Sequence, residues 1–115
     1  MYLSVISPIY NEYENIPLLY EAVVKALAGI EEWELILVDD GSVDRSFETL
    51  ADLADQDPEH VRVIQLRRNF GQTAAIAAGV DFAKGELIAL IDADMQNDPA
   101  DIPMMIEKLN EGYDV

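Results

Sequence analysis

A short apolar run, a polar loop and a helical pattern recur four times along this chain, which limits it to folds built from βαβ units. The first run, Leu3 to Ile9, precedes a helix whose apolar positions Ile16, Leu19, Val23 and Leu27 fall at helical spacing. Asn15 stands where an N-cap belongs, Pro17 lies in the tolerated first turn, and Gly29 is expected to end the helix. The second run, Leu35 to Val38, stops at Asp39 and Asp40. A helix follows with Phe47, Leu50, Leu53 and Ala54 on one face, closed by Asp57 and Pro58. A third strand, Val61 to Leu66, leads through a polar loop to Gly71 and an Ala-rich helix reaching about Ala83. That helix is apolar nearly all round and is expected to be buried. The fourth run, Leu87 to Ile91, breaks at Asp92; a last helix carries Ile102, Met105, Ile106 and Leu109, and Tyr113 to Val115 reads as the start of a fifth strand.

The runs lack clean alternation, as strands covered on both faces do, and right-handed crossovers in a parallel sheet produce that cover. The expected fold class is α/β, a Rossmann-like, doubly wound, mainly parallel sheet. Ligands of such sheets bind beyond the carboxyl ends of the strands. Those loops read Pro8-Ile9-Tyr10-Asn11-Glu12, Asp39-Asp40-Gly41-Ser42, Arg67-Arg68-Asn69-Phe70-Gly71 and Asp92-Ala93-Asp94-Met95-Gln96.

Composition removes several functions. The chain has no cysteine, so disulfides, thiolate metal sites and cysteine nucleophiles are excluded, and any metal must use oxygen or the single histidine. Seven basic against twenty-three acidic residues give a formal charge of -16, which repels nucleic acid and anionic headgroups over most of the surface. No apolar stretch approaches the roughly 18 residues of a membrane span, and no secretory signal opens the chain, so a cytoplasmic location is expected. His60, remote from the four loops, reads as a surface residue.

Carboxylates dominate three of the four loops. On extended backbone Asp92, Asp94 and Gln96 point the same way, about 7 Å apart per pair. Two carboxylates and an amide oxygen are hard ligands of the kind that hold Mg2+ or Mn2+ completed by water and a substrate phosphate. The alternative is that the same two aspartates cap the helix or turn that follows. Asp40 can accept from a ribose hydroxyl or a base edge, while Asp-Asp-Gly-Ser is also good turn chemistry, with Gly41 free to take a positive φ. Tyr10 can flank a nucleobase with Glu12 accepting from it, or it can be core with Glu12 a first-turn carboxylate. Arg67 and Arg68 face a phosphate or a neighbouring carboxylate. Asn69 and Gly71 read as loop-shaping residues, and the methionines as packing.

Taken together, Pro-x-Tyr-Asn-Glu, Val-Asp-Asp-Gly-Ser, Arg-Asn-Phe-Gly and Asp-Ala-Asp-x-Gln, in this order and over essentially the whole chain, resemble the family 2 glycosyltransferases. The closest likeness is to polyprenyl-phosphate hexosyltransferases of the dolichol-phosphate mannose synthase and bactoprenol glucosyltransferase type. The resemblance implies the N-terminal half of a nucleotide-diphosphosugar transferase (GT-A) fold. It implies that Pro8, Tyr10, Glu12, Val38 and Asp40 hold the nucleoside, that Arg68, Asp92, Ala93 and Asp94 meet the nucleotide sugar, and that Asp94 and Gln96, with Asp92, bind the divalent cation. Residues 1–115 would then be the part that binds a UDP- or GDP-sugar, stopping before the acceptor region and inactive alone. The lipid-phosphate acceptor would be met by the full-length protein, at the cytoplasmic face of the membrane. Where many relatives continue with Asp-Pro-Pro or His-Pro-Pro, this chain has Asn97-Asp98-Pro99. The rival reading is a response-regulator receiver, which matches in size, acidity and rhythm. A receiver, however, carries its acidic pair after the first strand, whereas here the pair follows the second.

Overall fold

The computed structural model describes residues 2–93. The helix expected over Ile102 to Leu109 and the strand expected from Tyr113 lie outside the described residues. Within them run β1 (Tyr2–Ile9), α1 (Ile16–Ala26), β2 (Glu32–Asp39), α2 (Ser46–Gln56), β3 (Val61–Gln65), α3 (Gln72–Phe82) and β4 (Leu87–Leu90). The strands form one parallel sheet in the order β3-β2-β1-β4. Ile9 stands beside Asp39, so β1 and β2 end level with each other, and Ile6 stands beside Leu90 of β4. Successive βα units step from β1 to β2 to β3, after which the chain returns across the sheet to β4. Strand order therefore reverses between β1 and β4, where an open α/β sheet forms its binding crevice.

Period-two alternation sends β1 and β2 side chains to two different cores. Leu3, Val5, Ile9, Leu35 and Leu37 pack with Ile16, Leu19 and Val23 of α1 and Leu50 and Leu53 of α2 on one face. Ile6, Ile36 and Val38 pack with Ala75 of α3 on the other. The two central strands are thus covered on both sides, which is why their sequence shows no polar alternation. At about 25 cal/mol per Å² of apolar surface, each fully buried Leu or Ile here contributes on the order of 2 kcal/mol.

Four expectations need correction. Asn15 occupies the N-cap position of α1, but its backbone is already helical (φ -87°, ψ -17°) and its side chain caps nothing. From that conformation the amide turns back and donates to Glu12 Oε2 at 2.6 Å. Helix α1 ends at Ala26, three residues before Gly29, which stands in the following turn. β2 begins at Glu32 and not at Leu35, because Glu34 is buried with its charge satisfied. The Ala-rich helix α3 is also not buried all round: Ala75 and Gly79 are buried, whereas Val80 and Phe82 are 42% and 56% exposed. It presses only one small-residue stripe against the sheet, and a Cβ at Gly79 would fall 2.5 Å from Ile6 Cγ2.

The amino ends of the strands are held by carboxylates. Glu34, 1% exposed, accepts from Ser4 Oγ at 2.6 Å, from the Lys84 N–H at 2.7 Å and from Arg62 at 3.2 Å. Burial pushes its carboxyl upward, but these donors outweigh it and hold the group below its ordinary range. Asp57, which ends α2, accepts from Tyr20 Oη at 2.6 Å and meets His60 Nδ1 at 3.1 Å. Its carboxyl is likewise lowered by these partners against the opposing effect of burial, while the bond to Asp57 pushes the Tyr20 hydroxyl up to about 12. The His60 ring stacks on Trp33 with centroids 4.0 Å apart, so this half-buried residue closes the amino end of the sheet.

Because both carboxyls titrate lower in the folded chain than in the unfolded one, the stability they contribute is present above their ordinary values, 4.5 for Glu34 and 3.8 for Asp57. It is lost as pH falls through the lower folded values. Glu34→Gln is expected to cost about 2 kcal/mol near neutrality and to flatten the acid limb of stability against pH. Urea melts across a pH series check this; an unchanged acid limb would refute the assignment to Glu34.

Candidate functional site

At the carboxyl end of the sheet, a cleft of about 320 Å³ opens between the ends of β1 and β4, at the reversal of strand order. Its wall is made by Pro8, Ile9, Tyr10, Glu12, Asp40, Gln72, Asp92 and Ala93. Residues from three strand ends and the first turn of α3 thereby meet in one place. Tyr10 is 45% exposed, which removes the reading of it as core. Glu12 lies in the loop ahead of α1, facing the cleft, and not in the first turn of the helix.

The loops that shape this cleft are stitched together across long stretches of sequence. The Asn11 N–H donates to Ser42 Oγ and the Val43 N–H to Asn11 Oδ1, both at 2.9 Å, while the Glu12 N–H donates to Ser46 Oγ at 2.9 Å. Asn11 takes a positive φ of 53° to do so, a conformation that asparagine tolerates better than most residues. Ser46 in turn donates its N–H to Asp44 Oδ1 at 2.8 Å, and this bonding holds the Asp44 carboxyl below its ordinary range against the opposing effect of burial.

Asp39 and Asp40 divide their roles by side-chain direction. Asp39 Oδ1 accepts from the Ser42 N–H at 3.2 Å and closes the turn; its Oδ2 has no protein partner among the described residues. Asp40 is 3% exposed and gathers the β3–α3 loop: Phe70 N–H at 2.8 Å, Gly71 N–H at 3.0 Å and Asn69 Nδ2 at 3.1 Å all donate to its carboxylate. Asn69 Nδ2 also reaches the Asp40 carbonyl at 3.2 Å. Three donors occupy most of the acceptor capacity of one carboxylate. Gly41, next along, makes the crossing possible, because a Cβ there would lie 2.3 Å from the Arg68 carbonyl carbon and its φ is +71°. Both turn chemistry and loop shaping are thus realised at these positions, and Asp40 still lines the cleft beneath them.

Of the expected site residues, the structure brings together Pro8, Tyr10, Glu12, Asp40, Asp92 and Ala93. Val38 is fully buried under α3 and is not part of the wall, since its side chain leaves the strand toward the second core. Arg68 is exposed with its guanidinium 4.6 Å from the Phe70 ring centroid, and neither Arg67 nor Arg68 pairs with a carboxylate among the described residues. The expected carboxylate partner for these arginines is absent there. Asp94 and Gln96 lie outside the described residues. Sequence reasoning missed Gln72, whose only signal was a polar side chain directly after Gly71 at a helix start, and missed the stapling roles of Asn11, Ser42 and Ser46, which no local pattern marks.

The chemistry of the wall follows from its inventory. Glu12, Asp40 and Asp92 bring carboxylates, Tyr10 a hydroxylated ring and Gln72 an amide, with no lysine or arginine among the lining residues. A diphosphate entering such a wall would need a cation. Within the described residues no three His, Asp or Glu side chains converge tightly enough to hold one, and Asp92 is the one expected metal ligand that falls there. Carboxylate and amide oxygens are of the hard kind that an open magnesium or manganese shell would use, and Asp92 would be the ligand offered by the described residues.

Comparison with known proteins assigns the lineage. The glycosyl transferase family 2 model matches residues 4–115. This chain belongs to that family. It is 48% identical over 114 residues to the undecaprenyl-phosphate 4-deoxy-4-formamido-L-arabinose transferase of Photorhabdus laumondii, covering 98% of this chain and 35% of that protein. It is 46% identical over 108 residues to the dodecaprenyl-phosphate galacturonate synthase of Rhizobium johnstonii, covering 93% of this chain and 32% of the relative. The chain thus spans about a third of the length of these relatives. Among solved structures, a Pyrobaculum calidifontis mannosyltransferase in complex with GDP-Man and Mn2+ superposes with a TM-score of 0.74 at 24% identity, over 80% of this chain and 27% of that one. S. aureus TarS in complex with UDP-GlcNAc gives 0.74 at 24% identity, over 96% of this chain and 32% of that one. These two establish the fold, that of GT-A glycosyltransferases, and the family membership removes the receiver reading.

Asp40→Ala is expected to leave the sheet folded but to free the β3–α3 loop. Amide exchange at Phe70 and Gly71 should speed up at least about tenfold, the equivalent of roughly 1.4 kcal/mol, while Ile36 and Leu37 keep their protection. Uniform acceleration through the strands would instead show a global loss of stability.

Proposed function

We propose that this chain forms the nucleotide-sugar side of an inverting glycosyltransferase that passes a glycosyl group to a polyprenyl phosphate. The observation that carries the reading is the convergence of Pro8, Tyr10, Glu12, Asp40, Asp92 and Ala93 on one cleft at the sheet's switch point. The relatives named above differ in their sugar, a formamido-pentose in one and a hexuronate in the other, and share a polyprenyl-phosphate acceptor. The acceptor class is therefore what this chain most plainly shares with them, and the cytoplasmic face of a membrane is where such a lipid would be met. No helix among the described residues is long and apolar enough to cross a membrane.

In this reading Tyr10 flanks the nucleobase, Glu12 accepts from its edge, and Pro8 with Ile9 forms the apolar floor. Asp40 acts mainly through the loop it holds, setting Gly71 and Gln72 at the rim, and the exposed Arg68 meets the donor from the same loop. Gln72 and the first N–H groups of α3 supply donors in a wall otherwise rich in acceptors. Asp92 and Ala93 border the diphosphate end, with Asp94 and Gln96 completing the metal set. A divalent cation, Mg2+ or Mn2+, when bound there, supplies positive charge beside the departing diphosphate.

The transfer is a single displacement. An oxygen of the lipid phosphate forms a bond to the anomeric carbon from the face opposite the leaving group, the bond from that carbon to the nucleoside diphosphate breaks, and configuration inverts. A phosphate acceptor is already anionic near neutral pH, so no strong general base is needed.

Calorimetric titration of UDP, GDP and their sugars, with and without Mn2+, tests the assignment. Tyr10→Ala is expected to weaken nucleotide binding about tenfold through lost stacking, and Asp92→Ala to abolish most of the Mn2+ dependence. Binding that ignores both substitutions, or no nucleotide binding at all, would sink it.

A further inference from the structure

Among the described residues that line the cleft, Gln72 alone carries an amide, which offers N–H donors and a carbonyl acceptor side by side. Its backbone is fixed from the preceding loop. Asp40 accepts from the N–H groups of Phe70 and Gly71, and α3 begins on the next residue, with the Ala75 N–H donating to the Gly71 carbonyl at 3.1 Å. The bonds that Asp40 gathers come from Asn69, Phe70 and Gly71 and stop short of Gln72, so its exposed amide is carried into the cleft on a held stem. No side-chain bond caps α3 either.

Two parts of a nucleotide sugar could meet that amide, the diphosphate or the uncharged base. Asp40 decides between them, because it already occupies the start of α3. It receives the N–H groups of Phe70 and Gly71 and stands in for the acidic residue that the helix lacks in its own first turn. A diphosphate there would lie against carboxylate oxygens, with no lysine or arginine among the described lining residues to offset them. The amide is matched instead to an uncharged edge that forms hydrogen bonds. The loop that carries Glu12 leads into α1, which packs on one face of the sheet, whereas Gln72 opens α3 on the other. A ring resting over the end of β1, beside Tyr10, is therefore offered a carboxylate from one side and an amide from the other. Asn15 holds Glu12 by Oε2 at 2.6 Å, which leaves Oε1 for a ligand.

Two neighbouring groups on one ring answer to that pair: a ring N–H for Glu12 and a carbonyl oxygen for the N–H of Gln72. Uracil and guanine carry both. Cytosine and adenine put a bare ring nitrogen and an amino group in those places, which turns an acceptor toward Glu12 and a donor toward the Gln72 N–H. We propose that Gln72 is a specificity-determining residue of the donor site. Its amide donates to the base carbonyl beside the ring N–H that Glu12 accepts, and so selects a lactam base over an amino base. The proposal rests on the nucleotide-sugar reading of the cleft.

Calorimetric titration with matched pairs in the presence of Mn2+, UDP against CDP and GDP against ADP, tests it. Each pair shares its ribose and diphosphate and differs at the base edge. In the pair whose lactam member binds, that member is expected to bind at least about tenfold tighter than its amino partner. Gln72→Met, of similar length but without strong hydrogen-bonding groups, should shrink this ratio at least about fivefold, and Gln72→Glu should shrink it further by accepting from the amino group. Melting temperature and the dependence of binding on Mn2+ should not move, since neither Asp40 nor Asp92 is touched. A substitution that merely disturbed the loop would weaken both members of a pair alike. Such equal weakening, a ratio near one in the unsubstituted chain, or a ratio indifferent to both substitutions would overturn the role of Gln72 and leave the nucleotide-sugar reading standing. Failure of all four nucleotides to bind would overturn the two together.

Discussion

The carboxylate of Asp40 and the three N–H donors it gathers are the contact on which the carboxyl end of the sheet depends. Carboxylate oxygens this deeply buried are costly if nothing donates to them. Here backbone donors from Phe70 and Gly71 take the place of solvent and tie the β3–α3 loop to the end of β2. Gly41 lets the two backbones approach more closely than any Cβ would allow. The start of α3 is placed by the same contact, and with it Gln72, which would otherwise have no reason to face β1 and β4.

The location of the cleft follows from topology more than from any one residue. With β1 central and β4 on its other side, the chain leaves β1 toward α1 on one face while α3 covers the other, and the gap lies where the order of the strands reverses. Side chains just beyond the ends of β1 and β4 line that gap; that they include Tyr10, Glu12 and Asp92 makes it a site for a polar, oxygen-rich ligand. The absence of lysine or arginine among the described lining residues gives the wall a direction of preference, towards ligands whose own negative charge arrives already neutralised.

The βα rhythm was legible because buried parallel strands and one-sided helices write different periods into the sequence, and Leu3 to Ile9, Ile16 to Leu27 and Leu50 to Leu53 follow those periods plainly. Legibility failed where a tertiary partner overrides local character. Glu34 reads as a loop residue until Ser4, Arg62 and the Lys84 N–H surround it, and α3 reads as a buried helix until it proves to press only Ala75 and Gly79 on the sheet. In the site, Asp-Asp-Gly-Ser could be read as a turn or as a ligand set because both uses need the same residues. The decision lay in donors thirty residues away, at Phe70 and Gly71. Asn11, Ser42 and Ser46 were invisible for the same reason, since a staple between loops leaves no spacing to detect.

Acidic side chains do opposite work at the two ends of the sheet. At the amino end Glu34 and Asp57 are saturated by donors and close the structure, binding the return of the chain from α3 to β4 and the turn from α2 to β3. At the carboxyl end Asp40 and Asp44 are held by donors, whereas Asp92 is half-buried and opens to the cleft. A small α/β unit with so much negative charge cannot leave every carboxylate in want of a partner, because like charges in proximity raise one another's affinity for protons and strain the folded state. Satisfying the amino end fully is what allows the carboxyl end to hold open acceptors ready for a ligand, and the strong acidity of the chain then serves the site without undoing the fold that carries it.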